Sequence, residues 1–171
     1  MVWGPLTRLG LVAALVSAAA DQALKLWLVF VFDLPARGVV TLTPFFELVL
    51  VWNPGISYGL FQQEGEAGQW VLFGLKVVAV AVLWIWLARV QSRLTALALG
   101  LIIGGAIGNA IDRLHWSGVM DFALLHASFG GTRYDWYVFN LADTVIVAGV
   151  IGLLYESLLG DRAAKAPRSL P

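Results

Sequence analysis

Four apolar runs of bilayer-crossing length dominate this sequence, over about residues 9–32, 69–88, 95–111 and 141–159. Roughly twenty apolar residues in a helix span the hydrocarbon core of a bilayer. Inside that core each backbone polar group must be satisfied within its own segment, so such runs fold as helices. The spacing therefore predicts an α-helical polytopic membrane protein with four transmembrane helices. Composition agrees: 60% of the 171 residues are hydrophobic and 13% are charged, whereas a soluble domain is about half apolar and a quarter charged. The first run opens like a secretory signal, with Arg8, Leu9 to Val16, then Ser17-Ala18-Ala19-Ala20. It stays apolar beyond that point, so a retained helix is expected.

Between the helices lie two excursions, 33–68 and 113–138. Thr41 to Trp52 is too short to span and is rich in Val, Thr, Phe and Trp. It reads as strand, giving a small extracytoplasmic β-sheet after helix 1. Asn53-Pro54-Gly55 reads as a turn. The second excursion is expected to be an extracytoplasmic loop or helix between helices 3 and 4. Residues 1–160 form a single membrane-embedded domain in this reading, and 161–171 a cytoplasmic tail. Arg8, Arg89, Arg93, Arg162, Lys165 and Arg168 flank one side; Arg37, Arg113 and Arg133 lie on the other. The excess of basic residues predicts that both termini are cytoplasmic.

Several chemistries are disfavoured. The formal net charge is +0, which leaves no electrostatic footprint for nucleic acid. Cysteine is absent, so there are no disulfides, thiolate nucleophiles or Cys-ligated metals. His115 and His126 fit no zinc-ligand spacing, and no G-x-S-x-G elbow is present. What stands out is acid at the ends of membrane helices, where polar groups are costly and functional by default. The third run ends in Gly108-Asn109-Ala110-Ile111-Asp112-Arg113. Asp121 follows in Val119-Met120-Asp121-Phe122, and Asp143 in Phe139-Asn140-Leu141-Ala142-Asp143. Asp121 and Asp143 fall at similar depth on one face. Two close carboxylates share a proton, so one can activate water while the other donates to a scissile carbonyl. Other readings remain open. Asp143 also fits helix capping behind Asn140, and Asp121 a solvated loop acid. Asp112, Asp121 and Asp143 together fit magnesium. Asp21 and Lys25, one turn apart, fit a self-neutralised ion pair. Gly100, Gly104 and Gly108 share one helix face, as close helix packing requires.

Five blocks, in order, resemble the lipoprotein signal peptidases (signal peptidase II) of bacteria. They are Asp21-Gln22-Ala23-Leu24-Lys25, Asn53-Pro54-Gly55, Gly104 to Arg113, Val119 to Phe122, and Phe139 to Asp143. The resemblance implies an intramembrane aspartic endopeptidase of the bacterial inner membrane, with its active site at the outer face. It would cleave the signal peptide from diacylglyceryl-modified prolipoproteins, just before the lipidated cysteine. The same matching puts the dyad on Asp121 and Asp143. It gives Asn53, Gly55, Gly108, Asn109, Asp112, Arg113, Asn140, Asp21 and Lys25 site-lining or bracing roles. It implies no cofactor and no metal, membrane lipids as surroundings, globomycin as inhibitor, no nucleic acid partner and a monomer. Two alternatives are a magnesium-dependent lipid phosphotransferase and a non-enzymatic membrane scaffold or transporter.

Overall fold

The computed structural model describes residues 2–54, 66–116 and 118–165. In chain order the elements are α1 (Thr7–Phe30), α2 (Leu34–Arg37), β1 (Val40–Thr43), β2 (Phe46–Asn53), α3 (Glu66–Leu87), α4 (Arg93–His115), β3 (Val119–Phe129), β4 (Thr132–Asp135) and α5 (Leu141–Lys165).

The helices are apolar outside and small or polar inside. On α1 the buried positions Gly10, Ala14, Ser17, Asp21, Lys25 and Leu28 recur at helical spacing, while Val12, Leu15, Val16, Leu26 and Phe30 are exposed. On α5, Val147, Val150, Ile151, Leu154 and Leu158 are exposed in the same way. In water this arrangement would leave a large apolar surface uncovered; in lipid it is the expected one. Among the described residues, Thr7–Phe30, Arg93–His115 and Leu141–Leu158 are long and apolar enough to cross a bilayer, and Gly74–Leu87 of α3 is a shorter apolar stretch.

At the centre of the bundle α4 packs along α1, α5 and α3. Its glycines allow this. A β-carbon at Gly104 would collide with the Ser17 hydroxyl and the Ala14 carbonyl, and one at Gly108 would sit 2.7 Å from Asp21 Oδ2. Both glycines thus let α4 lie against α1 at backbone distance. The bundle core is Ala14, Leu87, Val90, Ala96, Leu99 and Ile103.

Above one end of the bundle lies a four-stranded antiparallel sheet in the order β1-β2-β3-β4. The expected strands after the first helix are present. The segment between the last two apolar helices is not the loop or helix expected from sequence: it is the hairpin β3–β4, with β3 paired to β2. Positive φ at Gly130 (58°) and Gly131 (82°) supplies the tight turn. Val119 to Leu124 are all buried, because β3 is wedged between the helix ends and β2. Met120, Phe122 and Ala123 pack with Leu28, Leu34 and Leu48 there. A continuous apolar run carries no period that separates strand from loop, and its pairing partner is far away in sequence. Glu47 of β2 ties in the outer strand β4 by accepting two hydrogen bonds from Arg133, at 2.7 and 3.2 Å.

Two boundaries also differ. The third apolar helix runs on to His115, so Asp112 lies within it, and Arg113 does too rather than opening the excursion. The last helix continues to Lys165, past the end expected at residue 159.

Candidate active site

Two pieces of chain meet where the sheet sits on the bundle. Phe139 pairs with Ala123 of β3: its carbonyl accepts from the N–H groups of Phe122 and Ala123 at 3.0 and 2.8 Å, and its own N–H donates to Ala123 O at 3.0 Å. This pins the start of α5 against β3 and brings Asn140 and Asp143 beside Asp121.

Asn140 is the hinge of the arrangement and is 1% exposed. Its Oδ1 accepts the N–H of Asp143 at 2.9 Å, and Asp143 Oδ2 accepts the N–H of Asn140 at 3.2 Å. That reciprocal pair is a capping box on α5. The Asn140 amide nitrogen also donates to Asp121 Oδ1 at 2.7 Å, and it lies within hydrogen-bond distance of Asn109 Oδ1 (3.0 Å) and Met120 O (3.2 Å). Asp121 Oδ2 accepts from Asn53 Nδ2 of β2 at 3.1 Å. Asp143 Oδ1 accepts from Asn109 Nδ2 of α4 at 3.0 Å. Capping and site-building are therefore one arrangement at Asp143, not competing readings. Asp121 is buried, not a solvated loop acid.

Burial pushes the Asp121 carboxyl up to about 6 from its ordinary 3.8. Hydrogen bonding from Asn53 opposes the rise, and the charge of Asp143 adds to it. Both carboxylates line a cavity of about 820 Å³ whose walls include Trp52, Asn53, Leu125, Trp136, Tyr137 and Val147. The cavity is mostly apolar, with the carboxylates as its acidic end.

Beneath the site lies a buried ionic layer. The Lys25 ammonium is 2.8 Å from Asp21 Oδ2 and 2.7 Å from Asp112 Oδ2, and donates to Asn109 Oδ1 at 3.2 Å. So Asp21 and Lys25 are an ion pair, as expected, but one shared with Asp112. Asp112 is committed to Lys25, to the N–H of Met120 (3.1 Å) and to Gln22 (2.7 Å). Both of its oxygens are taken by these partners, and it does not line the cavity that Asp121 and Asp143 share. Among the described residues, no group of three or more His, Cys, Asp or Glu side chains is arranged to hold a metal. Arg113 Nη1 donates to Pro54 O at 3.3 Å, tying α4 to the end of β2. Gly108 lies against Asp21. Of the residues expected from sequence, Asn53, Asn109 and Asn140 contact the two aspartates, Asp21, Lys25, Gly108 and Asp112 belong to the layer beneath, and Arg113 holds the end of β2. Gly55 lies outside the described residues. Sequence reasoning gave no role to Gln22, although its place beside Asp21 in an apolar helix is itself an unusual polar position. The aromatic walls are assembled from segments distant in the chain, Trp52 from one and Trp136 and Tyr137 from another.

A helix bundle with a lipid-compatible outside and two carboxylates at one end of an apolar cleft is an arrangement that suits a membrane-embedded peptidase of the aspartic type. Comparison with known proteins makes this specific. Residues 13–159 match the family model described as signal peptidase (SPase) II. A lipoprotein signal peptidase of Nitrobacter hamburgensis is 59% identical over 94% of this chain and 98% of its own. One from Rhodopseudomonas palustris is 57% identical over the same shares. A solved structure described as a bacterial membrane enzyme superposes with a TM-score of 0.74 over 95% of this chain and 94% of that one, at 22% identity, a likeness of fold. The chain belongs to the signal peptidase II family.

Proposed function

We propose that this protein hydrolyses the peptide bond just before the lipidated cysteine of diacylglyceryl-modified prolipoproteins, using a water activated by Asp121 and Asp143. The observation that carries this reading is the convergence of the two carboxylates on one cavity, Asp121 held by Asn53 and Asn140 and Asp143 by Asn109. Asp121, lifted to about 6 by burial, is suited to hold the shared proton near neutrality. The pair then acts as one unit. One carboxylate takes a proton from water as it attacks the carbonyl carbon; the other gives its proton to the carbonyl oxygen. Collapse of the tetrahedral intermediate returns a proton to the leaving amine, and no covalent intermediate forms.

The site's position supports the substrate. Four helices cross the membrane in this proposal, with both termini cytoplasmic, because Arg8, Arg89, Arg93, Arg162, Lys165 and Arg168 outnumber the basic residues of the two excursions, Arg37, Arg113 and Arg133. The dyad then lies at the outer face, at headgroup depth. A substrate anchored by acyl chains presents its scissile bond at that depth, and the apolar cavity wall matches the flanking peptide. Residues 1–160 act as one unit and no cofactor takes part.

The test is direct. Wild type, Asp121→Asn, Asp143→Asn and Asp112→Asn are purified in detergent and incubated with a diacylglyceryl-modified prolipoprotein, with and without chelator. Wild type is expected to cleave in chelator, and the Asp121 and Asp143 variants to be folded and inert. Near-normal cleavage by either variant would remove the dyad. Loss of wild-type activity in chelator would favour metal chemistry.

A further inference from the structure

The dyad aspartates are each preceded by a residue whose backbone is held from below. The N–H of Ala142, just before Asp143, donates to Asp21 Oδ1 at 3.0 Å. The N–H of Met120, just before Asp121, donates to Asp112 Oδ2 at 3.1 Å. The two holding carboxylates belong to different helices, α1 and α4. What fixes the distance between them therefore fixes the distance between the two backbones that carry the dyad.

Two side chains of α1 bridge that gap. Lys25 Nζ lies 2.8 Å from Asp21 and 2.7 Å from Asp112. Gln22 Nε2 is 2.7 Å from Asp112 Oδ1, 3.3 Å from Asp21 Oδ2 and 3.1 Å from the Gly108 carbonyl. Asp21, Asp112 and Lys25 are all at most 3% exposed. Two buried carboxylates repel, and a buried ion cluster is costly to assemble, so such a cluster is a better candidate for fixing geometry than for adding stability. Lys25 supplies the attraction. Gln22 adds a second tie without adding charge.

We infer that Gln22, acting with Lys25, is a positioning residue that sets the separation of the Asp121 and Asp143 carboxylates. The inference rests on the proposed dyad. Gln22 touches neither dyad carboxylate, and its effect passes through Asp112 and Asp21 to the Met120 and Ala142 amides. Among the described residues, the other charged groups near the dyad are Arg113 of α4, within electrostatic range of Asp121, and Lys76 of α3, within electrostatic range of Asp143 and Asp112.

The spread between the dyad's two apparent pKa values depends on how close the carboxylates are. Gln22→Met keeps the side-chain length and removes the donor. It is expected to leave KM within about twofold, to lower kcat about tenfold through misplacement, and to narrow the pH–rate bell by about half a pH unit. Lys25→Arg, which keeps the charge with a different reach, is expected to narrow it likewise. The measurement is steady-state cleavage of a diacylglyceryl-modified prolipoprotein peptide between pH 4 and 9 by the full-length protein in detergent, with Tm in parallel. An unchanged kcat and bell width for Gln22→Met would overturn the inference. So would a loss confined to KM or to Tm. If Gln22→Met does not fold, Gln22→Asn, one methylene too short to reach Asp112, reads the same quantities. Asp121→Asn and Asp143→Asn run alongside: activity in either sinks the dyad itself, whereas inert dyad variants with a normal Gln22→Met sink only the spacer.

Discussion

Neutralising Asp121 should abolish activity and at the same time stabilise the fold, in a pH-dependent way. The carboxyl is 3% exposed, and burial is the main cause of its rise from 3.8 to about 6. Because its folded value is raised, the native state holds the proton more tightly than the unfolded state does. Stability is then lost as pH climbs from about 4 to about 6 and stays lost above that. At about 1.36 kcal/mol per pH unit, the rise to about 6 costs the folded wild type about 3 kcal/mol at pH 8. Asp121→Asn avoids that cost. Its amide must, however, face a donor from Asn53 or Asn140 where a carboxylate oxygen accepted before, which offsets about 1 kcal/mol. The net gain at pH 8 is about 2 kcal/mol, or roughly 4–8 °C in Tm for a chain of this size. At pH 4, where the wild-type carboxyl is protonated, the gain should vanish or reverse. Thermal unfolding of both proteins in one detergent from pH 4 to 8 measures this, with cleavage assayed on the same samples. If the variant is no more stable at pH 8, or its advantage is the same at pH 4, burial is not what lifts Asp121 and the argument fails.

Asn140→Ala removes the cap of α5 and both of its ties to Asp121 and Asp143; a loss of about 2 kcal/mol in stability and at least about a hundredfold in kcat are expected from unfolding and steady-state assays. Gly104→Leu should prevent folding, since α1 leaves no room for a side chain there, whereas Gly74→Ala, which meets nothing within 4 Å, should raise Tm slightly through helix propensity; yield and monodispersity in detergent distinguish the two. Arg133→Met removes the partner that holds the Glu47 carboxyl below its ordinary value. The clasp in wild type is present above that ordinary value and weakens as pH falls, so amide exchange in β2 and β4 should quicken in the variant at pH 7, and the difference should shrink in acid.

Hydropathy alone determined that the chain is a helical membrane protein, because lipid permits little else for runs of that length. The short Thr41 to Trp52 segment was legible as strand for a related reason: it is too brief to span and rich in β-branched and aromatic residues. The aspartates were legible as candidates because acid at a membrane helix end is costly, and the ordered blocks around them resembled one family. Partnership was not legible. Strand β3 finds β2 some seventy residues earlier, and an apolar run gives no local sign of such a partner. The capping role of Asp143 and its place in the site look like rivals in sequence and are one arrangement in space. Asp112 reads as a third acid until the fold turns it toward Lys25 and Gln22. Which carboxylates face the cavity and which brace it depends on the crossing of α1 and α4 at Gly104 and Gly108. That crossing is a property of packing between segments, and only the tertiary structure decides it.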